Sequence, residues 1–393
     1  MRKPTLTIFY QFNPWHPTIG GIQTVITHFI KYAPNDFDVR LVGTGTGYSD
    51  SIGQWQIREF SGKELMFLPL IRVKNDDIRH LVPTTLKYTI ALLSRSFVSD
   101  FMHFHRIEPT LAAWKWSSKK TLFIHNDIHA QISKENTSNS ILWQRFPRIY
   151  FYLESLLIDQ FSEILSCNSQ SSKLYKERYP QIAQKIKYYP NTVDTELLFP
   201  LDNKEKHYRR QRLAKKLKLP TETSFLLFVG RMHPQKDPLL LLEAMAVLAE
   251  DYIHLLMVGD GELLGTVRTR IEKLGLSARV TLLGALPQDR LIDLYQTCNV
   301  LVLSSLYEGL PISVLESLAC GMPVVTTHCG ETPNFLTAQT GVVASERSPL
   351  GIATALKQVL NFPEAFSAEA CVAIAQRSSA ATVIGEIYRQ TVR

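Results

Sequence analysis

Two glutamates in the C-terminal half of the chain have the types and spacing to bind a polyhydroxylated ligand. Glu308 and Glu316 are separated by seven residues in the run EGLPISVLE. Because an ionised carboxylate accepts several hydrogen bonds, two such groups suit a polyhydroxylated ligand. An acidic residue near a helix start often only complements the helix dipole, however. The interpretation of this pair therefore depends on its neighbours.

A loop in the same half of the chain holds two cations that can clamp a diphosphate. The run FLLFVGRMHPQKDP places Arg231 and Lys236 after Gly230, which ends an apolar strand. Arginine offers a planar fork of donors and lysine a point charge, and both suit phosphate oxygens. In a surface loop such cations are also commonly just solvated. A further anion site is predicted at a helix start, where Pro311 suits a first helical position; this segment consists of Gly309, Leu310, Pro311 and Ile312.

The first half of the chain offers weaker signals. Gly20 and Gly21 lie between a strand and a helical stretch, where glycines permit a ligand to approach the backbone, although most such pairs are only turns. His125 follows an apolar strand, with His129 four residues further on. A zinc site built from these and from the run HFH at 103–105 lacks any HExxH or Cys/His framework. We therefore predict no metal site.

The elements that must position these residues follow an alternating pattern of short apolar strands and helical stretches, which predicts βαβ units and parallel sheets. The predicted strands are Leu6–Tyr10, Val39–Val42, Phe101–Phe104, Thr121–Ile124, Glu163–Cys167, Ile186–Tyr189, Phe225–Val229, Ile253–Val258, Val280–Leu283, Val300–Leu303 and Pro323–Thr326. The stretches Leu239–Leu248 and Ser313–Cys320 are predicted helices, the second ended by Gly321. Glu308 is thus expected in a strand-to-helix loop, where ligands of α/β sheets bind.

A turn-rich break near residues 190–224 divides the chain into two predicted domains. We expect an N-terminal domain over 1–198 and a C-terminal domain over 199–374, each with a doubly wound parallel sheet. The last helix, at about 375–393, is expected to cross back onto the first domain. The basic run Lys204–Lys218 is predicted to be a solvated helix face, although phosphate or membrane binding stays open.

The amino-acid composition limits the classes of protein to which this chain can belong. With 45% hydrophobic and 20% charged residues the chain is expected to be globular rather than disordered, and it has no apolar run long enough to span a membrane. The N-terminus has the pattern of a first strand rather than a signal peptide. Five scattered cysteines favour reduced thiols in the cytoplasm. A net charge of +7 suits an anionic ligand or membrane face, and no nucleic-acid-binding signature accompanies it.

Taken together these motifs resemble the family 4 retaining glycosyltransferases, also described as glycosyl transferases group 1, which have the GT-B fold. That fold has two Rossmann-like doubly wound domains facing across a cleft. The resemblance covers nearly the whole chain and is most specific over 225–330. The matching positions are Gly230 and Arg231, Lys236, the run VGDGE ending at Glu262, Ser305, Glu308, Glu316, the run ACGMPVV from Ala319, and Gly330.

The resemblance implies a role for each matching residue. Arg231 and Lys236 would bind the donor diphosphate and stabilise the charge on the leaving nucleotide in place of a metal. Glu308 would contact hydroxyls of the donor sugar, and Glu316 those of the ribose. His125 would lie next to the reacting sugar. The backbone at Gly20, Gly21 and Gly309–Ile312 would approach the phosphates, and the loop at Gly284 would pass the base.

Two motifs depart from the family pattern. The linker motif that usually has the sequence Asn-Gly-Val-Asp is Asn191-Thr-Val-Asp194 here. The loop that often has the sequence Gly-Gly-x-Pro-Glu is Cys329-Gly330-Glu331-Thr-Pro-Asn334. Donor contacts around Gly330 are therefore not carried over from the family.

The expected activity is a metal-independent hexosyl transfer (EC 2.4) from a UDP- or GDP-sugar, without a cofactor, to a glycan or lipid-linked acceptor in surface polysaccharide or glycolipid synthesis. The segments Ile141–Leu153 and Lys115–Lys120 mix aromatic and basic residues, which suits peripheral binding to an anionic cytoplasmic membrane face. Ordinary packing against a sheet explains them equally. Other GT-B enzymes, such as a sugar phosphorylase or a nucleotide-sugar epimerase, and a non-catalytic nucleotide-sugar-binding protein are the alternatives.

Overall fold

The computed structural model describes residues 2–16, 20–46, 50–73, 83–125 and 146–392, and in it the chain divides into two compact units. The first unit consists of Met1–Asn191 and Ala380–Arg393, and the second of Thr192–Ser379. The division expected after residue 198 thus lies within the second unit. In the first unit the C-terminal helix is held by the Tyr388 hydroxyl, which donates to the Phe29 carbonyl oxygen at 2.9 Å.

The first unit is built on a mostly parallel sheet. Its described elements are β1 (Thr5–Phe9), α1 (Gly21–Lys31), β2 (Asp38–Gly45), β3 (Gln56–Phe60), β4 (Lys63–Arg72), α2 (Thr84–Leu93), β5 (Phe101–Phe104), β6 (Lys119–Ile124), α3 (Pro147–Leu157), β7 (Glu163–Ser166), α4 (Ser169–Arg178), β8 (Ile186–Tyr188) and the C-terminal α13 (Ala380–Val392). Among the described residues the strand order is β3-β4-β2-β1-β5-β6-β7-β8.

A hairpin at one edge of this sheet was not predicted. β3 pairs with β4 in the antiparallel sense, and Ser61 and Gly62 connect them with φ values of 51° and 75°. Two residues with positive φ form the turn that suits the twist of a tight hairpin. β4 contains an apolar run in which Leu65, Phe67, Leu68 and Leu70 are buried, and this run was an available signal for a strand. β3 has no buried residue and lacks that signal.

The second unit has a fully parallel sheet, and the structure describes all of its residues. Its elements are α5 (Asn203–Lys216), β9 (Ser224–Val229), α6 (Pro238–Leu248), β10 (Ile253–Val258), α7 (Leu264–Lys273), β11 (Val280–Gly284), α8 (Gln288–Thr297), β12 (Val300–Leu303), α9 (Ile312–Ala319), β13 (Val324–Thr326), α10 (Thr332–Phe335), β14 (Gly341–Val343), α11 (Pro349–Asn361) and α12 (Ala368–Gln376). The strand order is β11-β10-β9-β12-β13-β14. The short β14 was not predicted.

Both sheets reverse their strand order at one position. In the first unit the reversal lies between β1 and β5, and in the second between β9 and β12. Such a reversal opens a crevice outside the carboxyl ends of the two strands, where ligands of doubly wound folds bind. The predicted fold class, two α/β units with parallel sheets, is confirmed.

Apolar strand residues supply the core of each unit, as in parallel sheets covered on both faces. In the second unit, alternate residues of β9 and β10 such as Phe228 and Met257 pack with Leu241 and Met245 of α6. All five cysteines lie in the described residues; none is in a disulfide, and four of them are buried. The buried thiols therefore contribute as small apolar side chains.

Candidate functional site

Two loops of the second unit lie side by side at the carboxyl ends of β9 and β12. The register of these parallel strands pairs Leu227 with Leu301. The loop after β9 runs from Gly230 to α6, and the loop after β12 runs through Glu308 to α9. Because this is the point where the strand order reverses, these loops form the candidate site.

Hydrogen bonds join the two loops. The Leu306 N–H donates to the Gln235 carbonyl oxygen at 2.8 Å, and Gln235 Nε2 donates to the Tyr307 carbonyl oxygen at 3.1 Å. The Ser304 hydroxyl lies 2.9 Å from the Lys236 carbonyl oxygen. Gln235 and Ser304 were not among the predicted site residues, although a small hydroxyl residue directly after an apolar strand was a usable signal. Their bonds set the position of Lys236 relative to the second loop.

The charged groups of Lys236 and Glu308 form an ion pair at this junction. Lys236 Nζ lies 2.5 Å from Glu308 Oε1, and the two side chains are 17% and 6% exposed. The Lys236 stem passes over Gly230, where an added Cβ would lie 3.4–3.5 Å from Cγ, Cδ and Cε of the lysine. The predicted cation and the predicted sugar-binding carboxylate therefore meet at one point.

Arg231 and the start of α6 flank this ion pair. Arg231 follows Gly230 directly and is exposed, as a clamp for a diphosphate requires. Asp237 follows Lys236 with φ 44° and ψ 62°, and its carboxylate accepts a hydrogen bond from the Leu240 N–H at 3.2 Å. Asp237 also forms an ion pair with Arg347. The cap begins α6 immediately after Lys236 and so limits the freedom of the loop.

Glu316 lies on α9 and is held by a tyrosine of α8. The Tyr295 hydroxyl donates to Glu316 Oε2 at 2.7 Å. Burial raises the pKa of the Glu316 carboxyl, and the bond from Tyr295 opposes that rise. Tyr295 was not predicted, because nothing in the sequence of α8 indicates which residue faces α9. A carboxylate with one bonded oxygen retains acceptor capacity for ligand hydroxyls.

The predicted anion site at the start of α9 is a buried loop made of Gly309, Leu310, Pro311 and Ile312. Pro311 has φ −62° and ψ 128°, so it precedes the helix as its N-cap and Ile312 is the first helical residue. The prediction that Pro311 is itself the first helical residue is therefore wrong. In this fully described unit no side chain caps α9. Its first N–H groups thus stay available to an anion.

The loop that departs from the family pattern packs directly against this segment. Gly330 has φ 63°, and an added Cβ would lie 2.5 Å from the Gly309 carbonyl oxygen and 2.7 Å from that of Glu308. The Glu331 N–H donates to the Gly309 carbonyl oxygen at 2.8 Å, and Asn334 Nδ2 donates to Glu331 Oε1 at 3.1 Å. Gly330 is required here both for its backbone conformation and for close packing.

Three glycines meet where β9, β10 and β11 end. Gly259 has φ 138°, and an added Cβ would lie 1.9 Å from the Gly230 carbonyl oxygen. The Gly259 N–H donates to the Gly284 carbonyl oxygen at 2.8 Å. Gly284, predicted to pass the base of a nucleotide, is therefore adjacent to the loop of Gly230. The structural role of Gly259 was not predicted.

In the first unit, Gly20 and Gly21 stand at the start of α1. Gly20 is the N-cap residue with φ −174°, an extended conformation open to any residue, and Gly21 is the first helical residue. Both are exposed, and the Gly20 carbonyl oxygen accepts a hydrogen bond from the Gln23 N–H at 3.1 Å. The backbone conformation thus does not itself require glycine here.

His125 follows β6 in the first unit and is bonded to a second histidine. His125 Nε2 lies 2.8 Å from His105 Nδ1, and the His125 carbonyl oxygen lies 3.2 Å from Cys167 Sγ. Burial lowers the pKa of His125 to about 4, a hydrogen bond with Asn191 raises it and Arg106 lowers it. The imidazole is therefore neutral near pH 7.

The described residues contain no group of three or more histidine, cysteine or acidic residues arranged to hold a metal ion. His129 and the segment 141–145 lie outside the described ranges, so their predicted roles are not located. Among the helices described, none combines the length and apolarity needed to cross a membrane.

Comparison with known proteins shows what this chain is similar to. Residues 209–377 match the family described as glycosyl transferases group 1. The chain is 29% identical over 213 residues to an uncharacterized glycosyltransferase of Methanocaldococcus jannaschii, and the match covers 50% of each protein. The chain thus spans about half the length of this relative, as it does of several others.

A longer match and a structural match extend this similarity. The chain is 25% identical over 339 residues to the Escherichia coli UDP-Gal:alpha-D-GlcNAc-diphosphoundecaprenol alpha-1,3-galactosyltransferase, covering 79% of this chain and 77% of that protein. Its fold matches sucrose-phosphate synthase from Thermosynechococcus elongatus with a TM-score of 0.80 and 16% identity, over 98% of both chains. At this identity the structural match establishes the fold alone.

Proposed function

Because residues 209–377 match the group 1 glycosyltransferase family and the whole chain has the GT-B fold, we propose that the protein transfers a sugar from a nucleotide-sugar donor. The donor is a UDP- or GDP-sugar, and the acceptor is a glycan or a lipid-linked glycan. The reaction is a hexosyl transfer that retains the anomeric configuration, as in family 4, and needs no metal ion.

The observation that supports this proposal is the ion pair between Lys236 and Glu308, next to Arg231 and to the uncapped start of α9. A donor diphosphate at this place would bind Arg231, Lys236 and the backbone N–H groups of Gly309 and Ile312. These groups would stabilise the negative charge that develops on the leaving nucleoside diphosphate. Their fixed charges supply what a metal ion supplies in other transferases.

The carboxylates then bind the two ends of the donor. Glu308 accepts hydrogen bonds from hydroxyls of the sugar, and Glu316 accepts those of the ribose. Gly284 passes the base. By resemblance to family 4, His125 of the first unit is assigned to the reacting sugar and the backbone of Gly20 and Gly21 to the phosphates. Catalysis is therefore assigned to Arg231, Lys236, Glu308 and His125.

The acceptor class is supported by the Escherichia coli relative, whose name states a UDP-galactose donor and a diphosphoundecaprenol-linked acceptor. A lipid-linked acceptor would place this protein in surface polysaccharide or glycolipid synthesis, on the cytoplasmic face of a membrane. α3 suits such contact, because one face presents an apolar stripe next to the exposed Arg148. The stripe consists of Phe146, Ile149, Tyr152 and Leu156, each at least 44% exposed.

Sedimentation with vesicles tests the membrane contact. At low salt the protein should pellet with anionic vesicles and stay in solution with neutral ones. Replacing Ile149 and Tyr152 by Ser should weaken the binding, whereas replacing the exposed Tyr252 of the second unit should not. Equal recovery of the protein in the supernatant with and without anionic vesicles would contradict the proposed binding to a membrane.

A thermal-shift panel of UDP-glucose, UDP-GlcNAc and GDP-mannose tests the donor site. A ligand present at 100 times its Kd stabilises the folded state by about 2.7 kcal/mol. We expect the melting temperature to rise with nucleotide sugars of one base. We expect the Lys236→Ala variant to lose this rise. No shift across a broad panel of nucleotide sugars, with folded protein, would contradict the proposal. Release of nucleoside diphosphate only when acceptor is present would exclude an epimerase.

A further inference from the structure

His105 and His125 lie at the same edge of the first sheet for a topological reason. β5 and β6 are parallel neighbours, with Phe104 in register with Leu122. The residues that follow them therefore leave the sheet together at its carboxyl edge. This places His105 Nδ1 at 2.8 Å from His125 Nε2, a hydrogen bond between two imidazoles.

Aromatic packing holds both rings in one orientation. The His105 ring is stacked on Phe123 with centroids 4.7 Å apart and planes at 11°. The rings of His105 and His125 are nearly parallel, at 15° with centroids 5.1 Å apart. Phe29 of α1 meets the His105 ring from the side at 6.3 Å and 68°. Rotation of either imidazole would thus require the aromatic cluster to repack.

Both rings are neutral near pH 7. Burial lowers the pKa of His105 well below its usual value, and the neighbouring His125 and His103 lower it further. Burial lowers that of His125 to about 4 and that of His103 to about 3. A neutral imidazole has a single N–H, so one ring must donate and the other must accept in the contact between them.

The surroundings of His105 identify it as the donor. If His125 Nε2 accepts from His105, the single N–H of a neutral His125 is on Nδ1. The reverse tautomer would place an N–H on His105 Nε2, which is buried and has no hydrogen-bond partner among the described residues. A buried N–H without an acceptor is rarer than a buried acceptor without a donor.

We propose that His105 is a positioning residue that acts through His125, donating Nδ1–H to His125 Nε2 and so holding His125 as the Nδ1–H tautomer bonded to Asn191. This inference rests on the proposed function, in which His125 lies next to the reacting sugar. Both nitrogens of His125 are then in use. His125 contributes a fixed dipole and a ring surface to the reaction, and it does not act as a proton acceptor.

The tautomer can be measured directly by the nitrogen chemical shifts of labelled histidines at pH 7. In the wild type we expect His125 to be protonated on Nδ1. In His105→Phe, which keeps an aromatic ring for stacking but loses the donor, His125 should populate both tautomers. His105→Gln restores an N–H donor and should restore the wild-type signal. His254, bonded to Thr281 in the second unit, serves as the internal control whose signal should not change.

Kinetics show whether the tautomer matters for turnover. Loss of one hydrogen bond of this kind should lower kcat of His105→Phe by about tenfold with little change in the donor KM. His105→Gln should recover most of the loss. If His105→Phe does not fold, Asn191→Ala provides a second test. It removes the hydrogen-bond partner of the other nitrogen of His125 and is expected to shift the tautomer in the same way.

The outcomes separate the two proposals. Protonation of wild-type His125 on Nε2, or an unchanged His125 signal and kcat in His105→Phe, would overturn the role of His105. Absence of any nucleotide-sugar turnover in the wild type would overturn the proposed function. The tautomer measurement needs no substrate, so its result is read independently of turnover.

Discussion

Lys236 Nζ lies 2.5 Å from Glu308 Oε1, although the two residues are 72 positions apart in the chain. The pair forms because the loops after β9 and β12 are joined at their backbones by Gln235 and Ser304. In the sequence, each residue taken alone could equally be an ordinary charged residue of a surface loop. Together they bring a cation and a hydrogen-bond acceptor to one point, as the proposed donor site requires. A bound diphosphate would compete with Glu308 for Lys236.

Lys236→Ala should reduce both activity and stability. Removing a preorganised cation from the leaving group should lower kcat/KM by about 100- to 1000-fold. Glu308, 6% exposed, would lose its ionic partner, which should lower the free energy of unfolding by about 3 kcal/mol. Steady-state kinetics and urea unfolding measure the two effects.

The matched control for this prediction is the double variant Lys236→Met with Glu308→Gln. It leaves no unpaired charge, so stability should recover while activity stays low. Wild-type turnover in Lys236→Ala would contradict the assignment of the diphosphate.

Glu308→Gln and Glu316→Gln should have different kinetic effects. Glu308 is assigned to the sugar, whose charge changes in the transition state, so its amide variant should mainly lower kcat. Glu316 is assigned to the ribose, which does not react, so its variant should mainly raise the donor KM. Competitive inhibition by the free nucleoside diphosphate checks the assignment, because only Glu316→Gln should weaken it. Small and equal effects of the two substitutions on kcat and KM would indicate that Glu308 and Glu316 have only structural roles.

Gly330→Ala should be far more harmful than Gly275→Ala. Both glycines have positive φ, 63° and 68°, so both variants have similar backbone strain. At Gly275 an added Cβ meets nothing within 4 Å, whereas at Gly330 it would lie 2.5 Å from the Gly309 carbonyl oxygen. We expect Gly330→Ala to lose about 1–3 kcal/mol more stability and to bind the donor more weakly. Unfolding midpoints and donor titrations measure the difference, and equal losses would disprove the packing argument.

Glu154→Gln should flatten the pH dependence of stability. Burial raises the pKa of Glu154 above 4.5, against hydrogen bonds from Tyr175 and Tyr179 that lower it. The folded state therefore binds more protons than the unfolded state at pH values between the pKa of Glu154 in the unfolded chain and its raised pKa in the folded protein. As pH rises through this interval, the free energy of unfolding falls by at most about 1.4 kcal/mol per pH unit.

Urea unfolding from pH 4 to 8 measures this slope. Gln cannot ionise, so the variant should lose less stability with rising pH than the wild type. Glu177→Gln, which removes a carboxylate from an exposed position of α4, is the control and should keep the wild-type slope. Parallel curves for Glu154→Gln and the wild type would show that Glu154 does not titrate in this range.

Local sequence pattern was sufficient for most elements of this fold. Runs such as Ile253–Val258 and Val300–Leu303 are observed as predicted, because strands buried on both faces need continuous apolar sequence. The edge strand β3 was missed because it has no buried residue and lacks that signal, whereas the apolar run of β4 has the signal and was overlooked. Pro311 was predicted to be the first helical residue but is the N-cap, one position earlier. Proline can adopt both the extended ψ of an N-cap and the helical ψ of a first helical residue.

The sequence by itself determined that Arg231, Lys236 and Glu308 follow strands, and hence that they lie at a carboxyl edge of a sheet. Only the tertiary structure decided which of them meet. Strand order brings β9 next to β12 and β5 next to β6, and no local periodicity encodes that order. The contacts of Lys236 with Glu308, of Tyr295 with Glu316 and of His105 with His125 all depend on it. They join side chains that are 20, 21 and 72 positions apart in the chain, where packing and hydrogen bonding between elements select the partner.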